Sequence, residues 1–290
     1  VDAKELIKKV RRIEIKSRRA SNHLFMGEYH SSFKGRGMIF SEVRPYQFGD
    51  DVRNIDWNKT AHFNEPYVKI FEEERELSLM LVVDISGSNQ FGTRKQSKKD
   101  TMAEICATLA FSALSNNDKV GLLLFSDEVE LYYPPKKGKH NVLKIIRALV
   151  EYEPKSTKTN ICNALDFLIK TQKRKSLVFL ISDFNDDCYQ KSIQVLAKKH
   201  ELTGIRVYDE KEEELPDIGW VHMHDIETGG EKFVNTSSKK VRRKYAENAQ
   251  KHRNQFFSSL KNAGAGVVEI ATDADYNRAL LNYFRSHKNR

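Results

Sequence analysis

Apolar positions along this chain follow two rhythms, and the switches between them outline its elements. Two runs, Leu79-Met80-Leu81-Val82-Val83 and Leu177-Val178-Phe179-Leu180-Ile181, are continuously apolar and of strand length. Such runs mark strands covered on both faces. Elsewhere apolar residues recur at helical spacing: Met102, Ile105, Leu109 and Phe111 within Lys98 to Ser115, then Asn141 to Val150, Ile161 to Thr171 and Cys188 to Lys199. Leu77 to Val83, Lys119 to Phe125, Val129 to Tyr133, Leu202 to Tyr208 and Gly266 to Ile270 supply strand signals between them. This alternation predicts an α/β fold with a mostly parallel sheet flanked by helices. Trp220 to Met223 and Lys232 to Val234, around Thr228-Gly229-Gly230, predict a hairpin before a long helix, Lys239 to Leu260. A helix from Tyr276 to Ser286 closes the pattern.

Upstream of Glu76 the rhythm differs. Ala3 to Arg19 carries Leu6, Val10 and Ile13 at helical spacing among eight basic and two acidic residues, which predicts a basic amphipathic helix. Short extended pieces follow, Met38-Ile39-Phe40, Val43-Arg44 and Tyr67 to Phe71, punctuated by Gly35, Gly37, Pro45, Gly49 and Pro66. The expected organisation is a basic helix over 1–31, a β-rich extension over 32–76 and the α/β domain over 77–290.

Composition narrows the function classes. With 290 residues and 39% hydrophobic content the chain can build a core without disulfides. Its three cysteines, Cys106, Cys162 and Cys188, form no Cys-x-x-Cys pattern, so a disulfide framework and a thiolate zinc site are not expected, and a reducing cytoplasm fits. Neither a run of roughly 18 apolar residues nor the apolar core of a secretory leader is present. Lys and Arg exceed Asp and Glu by 49 to 40, a net +9, which raises nucleic acid as a partner. The basic residues concentrate in the first helix and the last two, eight of them between Lys239 and Lys261. Val241, Tyr245, Ala249, Phe256 and Leu260 recur there as they would on a packed helix with a solvated outer face, the reading favoured over a nucleic-acid surface.

Ligands of open α/β sheets sit beyond the carboxyl ends of the strands. The first apolar strand runs into Asp84-Ile85-Ser86-Gly87-Ser88, and the strand ending at Ile181 runs into Ser182-Asp183. Thr157-Lys158-Thr159-Asn160 precedes the helix at Ile161. Hydroxyls and carboxylates are hard oxygen donors, suited to Mg²⁺, with Mn²⁺ or Ca²⁺ as alternatives. Each residue alone reads as a turn or cap; their joint occurrence at three strand ends reads as a site.

Asp84-x-Ser86-x-Ser88, Thr159 and Asp183 resemble the metal-ion-dependent adhesion site of von Willebrand factor A domains. Arg44-Pro45-Tyr46-Gln47-Phe48-Gly49-Asp50-Asp51-Val52-Arg53-Asn54-Ile55-Asp56-Trp57, followed by Lys69 to Arg75, resembles the hallmark segment of the bacterial "domain of unknown function 58" family. The resemblance runs from about Ser32 to Arg285. It implies a von Willebrand A-like, Rossmann-like core with Asp84, Ser86, Ser88, Thr159 and Asp183 as metal residues. The family's second loop carries glycines before its Thr; Lys155-Ser156-Thr157-Lys158 stands here, which makes Thr157 the alternative ligand and sets Lys158 beside the cation. Asn89 stands where relatives often have Met.

The resemblance also implies a divalent-cation-dependent protein-binding module, its metal accepting an Asp or Glu carboxylate from the partner. Such proteins are commonly encoded beside MoxR-type AAA+ ATPases, which suggests a shared role in assembly or maturation of other proteins. The enzymatic rival is a haloacid-dehalogenase-type phosphohydrolase, but that chemistry needs a second carboxylate two residues after the first, and Ser86 stands there. No Gly-x-Ser-x-Gly, Walker or His-Glu-x-x-His motif is present.

Asp50, Asp51, Arg53, Asp56 and Trp57 have two readings: ion pairs and Trp packing that hold the extension to the core, or a partner surface. His222-Met223-His224 could bind a transition metal but has no third ligand in view. Cys106 reads as buried filler. The run Asp209 to Glu214 reads as a solvated loop.

Overall fold

The computed structural model describes residues 10–18, 38–73, 77–90, 97–224 and 230–288. Of the expected helix from Ala3 to Arg19, residues 3–9 and 19 lie outside them, as do Gly35, Gly37 and Thr228-Gly229. The chain divides into two compact units, Phe33–Glu76 and the remainder.

In the smaller unit β1 (Met38–Pro45) pairs antiparallel with β2 (Tyr67–Glu73), with a register shift between Phe40 and Glu42. A short helix, α2 (Trp57–Phe63), joins the pair. The β-rich extension expected over 32–76 thus also contains a helix. Asp56 caps it, accepting from the Asn58 and Lys59 amides at 3.1 and 3.2 Å, which satisfies donors that a helix start leaves open.

The larger unit carries the sheet. In chain order its strands are β3 (Ser78–Asp84), β4 (Lys119–Phe125), β5 (Val129–Lys136), β6 (Leu177–Ser182), β7 (Glu201–Tyr208) and β10 (Gly266–Ala271). They lie in the order β10-β7-β6-β3-β4-β5. All pairs are parallel except β4 with β5. Antiparallel pairing follows from the three-residue connection Ser126–Glu128, since a parallel return needs a crossover of a dozen residues or more. The hairpin β8 (Trp220–His224) with β9 (Glu231–Asn235) stands as a separate two-stranded sheet.

Helices cover both faces, which is why β3 and β6 read as unbroken apolar runs. On one face Met80, Val82, Val178 and Leu180 join Ile161, Leu165 and Leu168 of α5 (Ile161–Thr171) and Ile193 and Leu196 of α6 (Gln190–Lys199). The same core takes Phe256 and Leu260 of α8 (Lys239–Asn262). Gly204 on β7 admits this last helix, because a Cβ there would fall 2.4 Å from Leu260 Cδ1. On the opposite face α3 (Lys98–Ser115) is buried almost throughout and packs on α4 (Lys139–Glu151). There Phe179 of β6 meets Phe284 of α9 (Tyr276–Lys288), ring centroids 6.4 Å apart. The described part of the first helix, α1 (residues 10–18), buries Ile13 and Ser17, pairs Lys16 with Glu104 of α3, and sets Arg18 over the Phe111 ring. Its basic residues are thus partly structural.

Two expectations change on the last long helix. The apolar stripe of α8 is not uniformly core: Phe256, Ser259 and Leu260 are buried, whereas Tyr245 and Ala249 line a cleft. Its three arginines are also paired within the chain, Arg242 to Asp217, Arg243 to Glu247 and Arg253 to Glu269.

Candidate functional site

Counting only the strands of the main sheet, β3 is first and β6 fourth, so the strand order reverses between these neighbours. That reversal is the topological switch point, where loops from adjacent strands part and leave a crevice. Asp84 ends β3 and Asp183 follows β6.

Asp84 is buried. Its Oδ1 accepts from the Ser86 amide at 2.9 Å, an Asx turn that re-aims the chain after the strand. Its Oδ2 accepts from the Ser182 hydroxyl at 2.6 Å, which ties the end of β3 to that of β6. The Ser86 and Ser88 hydroxyls lie 3.2 Å apart, and Ser88 also hydrogen-bonds Asp183. Asp84, Ser86, Ser88 and Asp183 are therefore brought together from two loops far apart in sequence. The second loop reaches the first through its backbone, Gly87 N donating to Thr157 O at 2.9 Å. Thr157 is exposed and Thr159 half-buried. Asn160 caps α5 through the Asn163 amide at 3.0 Å.

Burial, reinforced by the charge of Asp183, pushes the Asp84 carboxyl up to about 7. Burial acts in the same sense on Asp183, but the Lys98 ammonium and the Ser88 hydroxyl outweigh it and hold this carboxyl below its usual range. Lys98, at the start of α3, is 1% exposed, and its Nζ lies 3.1 Å from Asp183 Oδ2 and 2.8 Å from Glu212 Oε2. The lysine beside the acids is thus Lys98 and not Lys158, whose side chain is exposed. Sequence reasoning missed Lys98; an ammonium at the first helical position, where the macrodipole is unfavourable to cations, was the available signal.

The acidic run is a second correction. Glu210–Glu213 forms a short helical turn, α7, whose Glu212 meets Lys98 and whose Glu213 accepts from Arg206 at 2.8 Å. Arg206 is itself buried, bonding Glu269 at 2.7 Å and the Asp183 carbonyl at 3.3 Å. Two buried cations draw these acids inward, because an unpaired buried charge is too costly to leave. Beside them opens a cleft of about 310 Å³, lined by Ser88, Lys98, Asp183, Arg206, Glu212 and, from α8, Tyr245 and His252.

Phe184, directly after Asp183, takes a left-handed backbone with φ 59°. Aromatic packing fixes it there, against Phe256 at 4.5 Å and Tyr189 at 5.6 Å between centroids. A non-glycine residue held in this region beside two buried acids marks a constrained loop.

In the smaller unit, Asp50 takes a bidentate bond from Arg44 at 2.8 and 2.9 Å and accepts from the Gln47 amide. Asp51 caps a 3₁₀ turn through the Arg53 amide at 3.0 Å, and Asp56 caps α2. These acids therefore have local structural roles, and the pairing with Arg44 leads the causes that lower Asp50. Trp57 is 69% exposed, and Arg53 is also exposed. On the hairpin His222 stacks on Phe233 at 4.7 Å; the His224 side chain lies outside the described set. Among the described residues no group of three or more His, Cys, Asp and Glu gathers as a metal cluster.

The family model described as "Protein of unknown function DUF58" matches residues 42–255. The chain belongs to the DUF58 family. A Mycobacterium tuberculosis relative, "Uncharacterized protein Rv1480", is 28% identical over 292 residues, covering 99% of this chain and 92% of the relative. Among solved structures, the hypothetical protein BatB from Bacteroides thetaiotaomicron is similar at 14% identity and TM-score 0.48, over 74% of this chain and all of that one. The SpRpn10 VWA domain is similar at 10% identity and TM-score 0.39, over 73% of this chain and 95% of that one. This DUF58 member has an α/β fold with a mostly parallel sheet flanked by helices and one antiparallel edge strand. Among its described residues no helix is long and apolar enough to cross a membrane.

Proposed function

We propose that this DUF58 chain is a protein–protein interaction module that recognises its partner at the loop end of the sheet, above β3 and β6. The observation that carries the reading is the convergence of Asp84, Ser86, Ser88 and Asp183 at the switch point. Every donor in that set is an oxygen, which suits a hard divalent cation.

Mg²⁺, with Mn²⁺ or Ca²⁺ as alternatives, would be held by the Ser86 and Ser88 hydroxyls, with Thr159 from the second loop and Asp84 and Asp183 neutralising its charge. Mg²⁺ keeps several waters, so carboxylates already engaged in hydrogen bonds still serve through them. The cation would supply an open coordination position for an Asp or Glu carboxylate of the partner. The chain's own residues do the rest: Ser182 and the Ser86 amide orient Asp84, Ser88 joins the two loops, and Lys98 sets the charge at Asp183.

A binding role is favoured over phosphoryl chemistry because Ser86, and no second acid, stands two residues after Asp84 and is buried against its turn. A MoxR-type AAA+ ATPase is the proposed partner, on the strength of the family resemblance. The test is calorimetric titration with Mg²⁺ of the wild-type chain, Asp84→Asn and Ser86→Ala, followed by capture of such an ATPase with and without chelator. The reading expects Mg²⁺ binding lost in both variants and capture lost on chelation. Capture that survives chelator and both substitutions would defeat the metal-bridged contact.

A further inference from the structure

Cys162 and Cys188 stand 26 positions apart in sequence with their Sγ atoms 2.7 Å apart. Both are free thiols. Cys162 lies in the first turn of α5, and Cys188 in the loop between β6 and α6. One carboxylate brings the two segments together: Asp186 accepts from the Ile161 amide at 2.8 Å through Oδ2 and from the Cys188 amide at 3.2 Å through Oδ1. The Cys162 thiol also donates to the Cys188 carbonyl at 2.9 Å. The backbones flanking both thiols are thus pinned before any bond joins the sulfurs. Cys188 is exposed and Cys162 partly so, which leaves the pair open to a small oxidant. Cys106 is fully buried in α3, its thiol pushed up by burial, and cannot compete. Among the described residues the pair belongs to no group of three or more His, Cys, Asp and Glu placed to hold a metal ion.

We propose that Cys162 and Cys188 form a reversible redox-modification site, whose oxidation by a low-molecular-weight disulfide bonds the start of α5 to the loop after β6. The thiolate of one cysteine attacks the small disulfide RSSR, forming a mixed disulfide and releasing RS⁻, which takes up the proton the attacking thiol gave up. The second cysteine, as thiolate, then attacks the protein sulfur of that mixed disulfide and expels the second RS⁻, which is likewise protonated. The two protein thiols are oxidised, RSSR is reduced to two RSH, and atoms and electrons balance. Burial and the neighbouring Cys162 push the Cys188 thiol up to about 12, so exchange is slow at neutral pH and quickens as pH rises.

The bridge has a structural consequence. Thr159 lies three residues before Cys162 and Asp183 five before Cys188, so the new bond joins the two loops that approach the Asp84 turn from the α5 and β6 sides. Closing this loop constrains the unfolded chain and raises the Tm by about 5 °C. Neither the bond nor its effect on Tm depends on a bound cation, so their failure would leave the proposed metal role standing.

The test treats the full chain with oxidised glutathione and reads intact mass without reductant, then maps peptides. The expected results are the loss of two hydrogen atoms, a Cys162–Cys188 linked peptide, reversal by dithiothreitol and the rise in Tm. Cys162→Ser and Cys188→Ser should each stop at a persistent glutathione adduct, and Cys106→Ser should react like the wild type. A lasting glutathione adduct on the folded wild type, or two thiols still free after prolonged exposure at pH 8.5, overturns the proposal. Should one serine variant fold poorly, the wild-type mass and peptide map decide the matter alone.

Discussion

At the scale of single residues, the site is governed by a charge that arrives from far along the chain. Lys98 neutralises Asp183 and Glu212 while itself almost wholly buried. Its replacement by Met removes one member of a buried ion group and strands two carboxylates, a loss of roughly 3–5 kcal/mol in denaturant unfolding. Under the proposed function Mg²⁺ takes over part of that role, so added Mg²⁺ should raise the Tm of Lys98→Met by more than it raises the wild type's. Equal shifts would show that the acids take no cation. His200 gives a pH-dependent counterpart away from the site. Burial, with the nearby Lys199 charge, holds its imidazole below the usual value. The unfolded chain therefore binds a proton near pH 6.5 that the folded chain refuses until lower pH. Stability present above that pH is lost as pH falls through the window between the two values. His200→Gln should make the stability curve shallower below pH 6.5, measured by urea unfolding at each pH.

At the scale of elements, the sheet leaves little tolerance for added atoms. A Cβ on Gly121 of β4 would lie 2.8 Å from Met80 Cε, 2.9 Å from the Tyr133 carbonyl oxygen and 3.0 Å from Pro135 N. Two of those neighbours are backbone of the paired strand β5 and cannot swing aside. Gly121→Ala is expected to cost about 1–3 kcal/mol, read from the denaturation midpoint. The opposite case is Trp57 at the start of α2. Its indole is largely exposed, so Trp57→Ala should leave stability within about 0.5 kcal/mol of the wild type. A much larger loss would assign the residue to packing. Asp56, one position earlier, caps the helix, and Asp56→Ala should lower the denaturation midpoint.

At the scale of the whole molecule, the net charge of +9 is a weaker guide to partners than its size suggests. Three arginines of α8 are paired with acids of this chain, and Lys16 and Lys98 are paired within the core unit. These paired cations would release fewer counterions on meeting a polyanion than free ones. Binding to a 20-base-pair duplex should be no tighter than the roughly 10⁻⁴–10⁻⁶ M of non-specific contacts, and absent at 200 mM salt, by fluorescence anisotropy. Tight, salt-resistant binding would reopen the nucleic-acid reading. By itself the sequence determined the strands of the main sheet and the long helices that cover it, because burial on two faces demands unbroken apolar runs and helix packing demands a 3.6-residue stripe. It also singled out Asp84, Ser86, Ser88 and Asp183, since they stand directly after two strands whose ends the sheet places together. Only the tertiary structure decided that Lys98 meets Glu212 across 114 positions, that the acidic run turns inward, and that Cys162 touches Cys188. Charge pairing and thiol contact carry no periodicity along the chain; they depend on which strand ends the sheet order sets side by side.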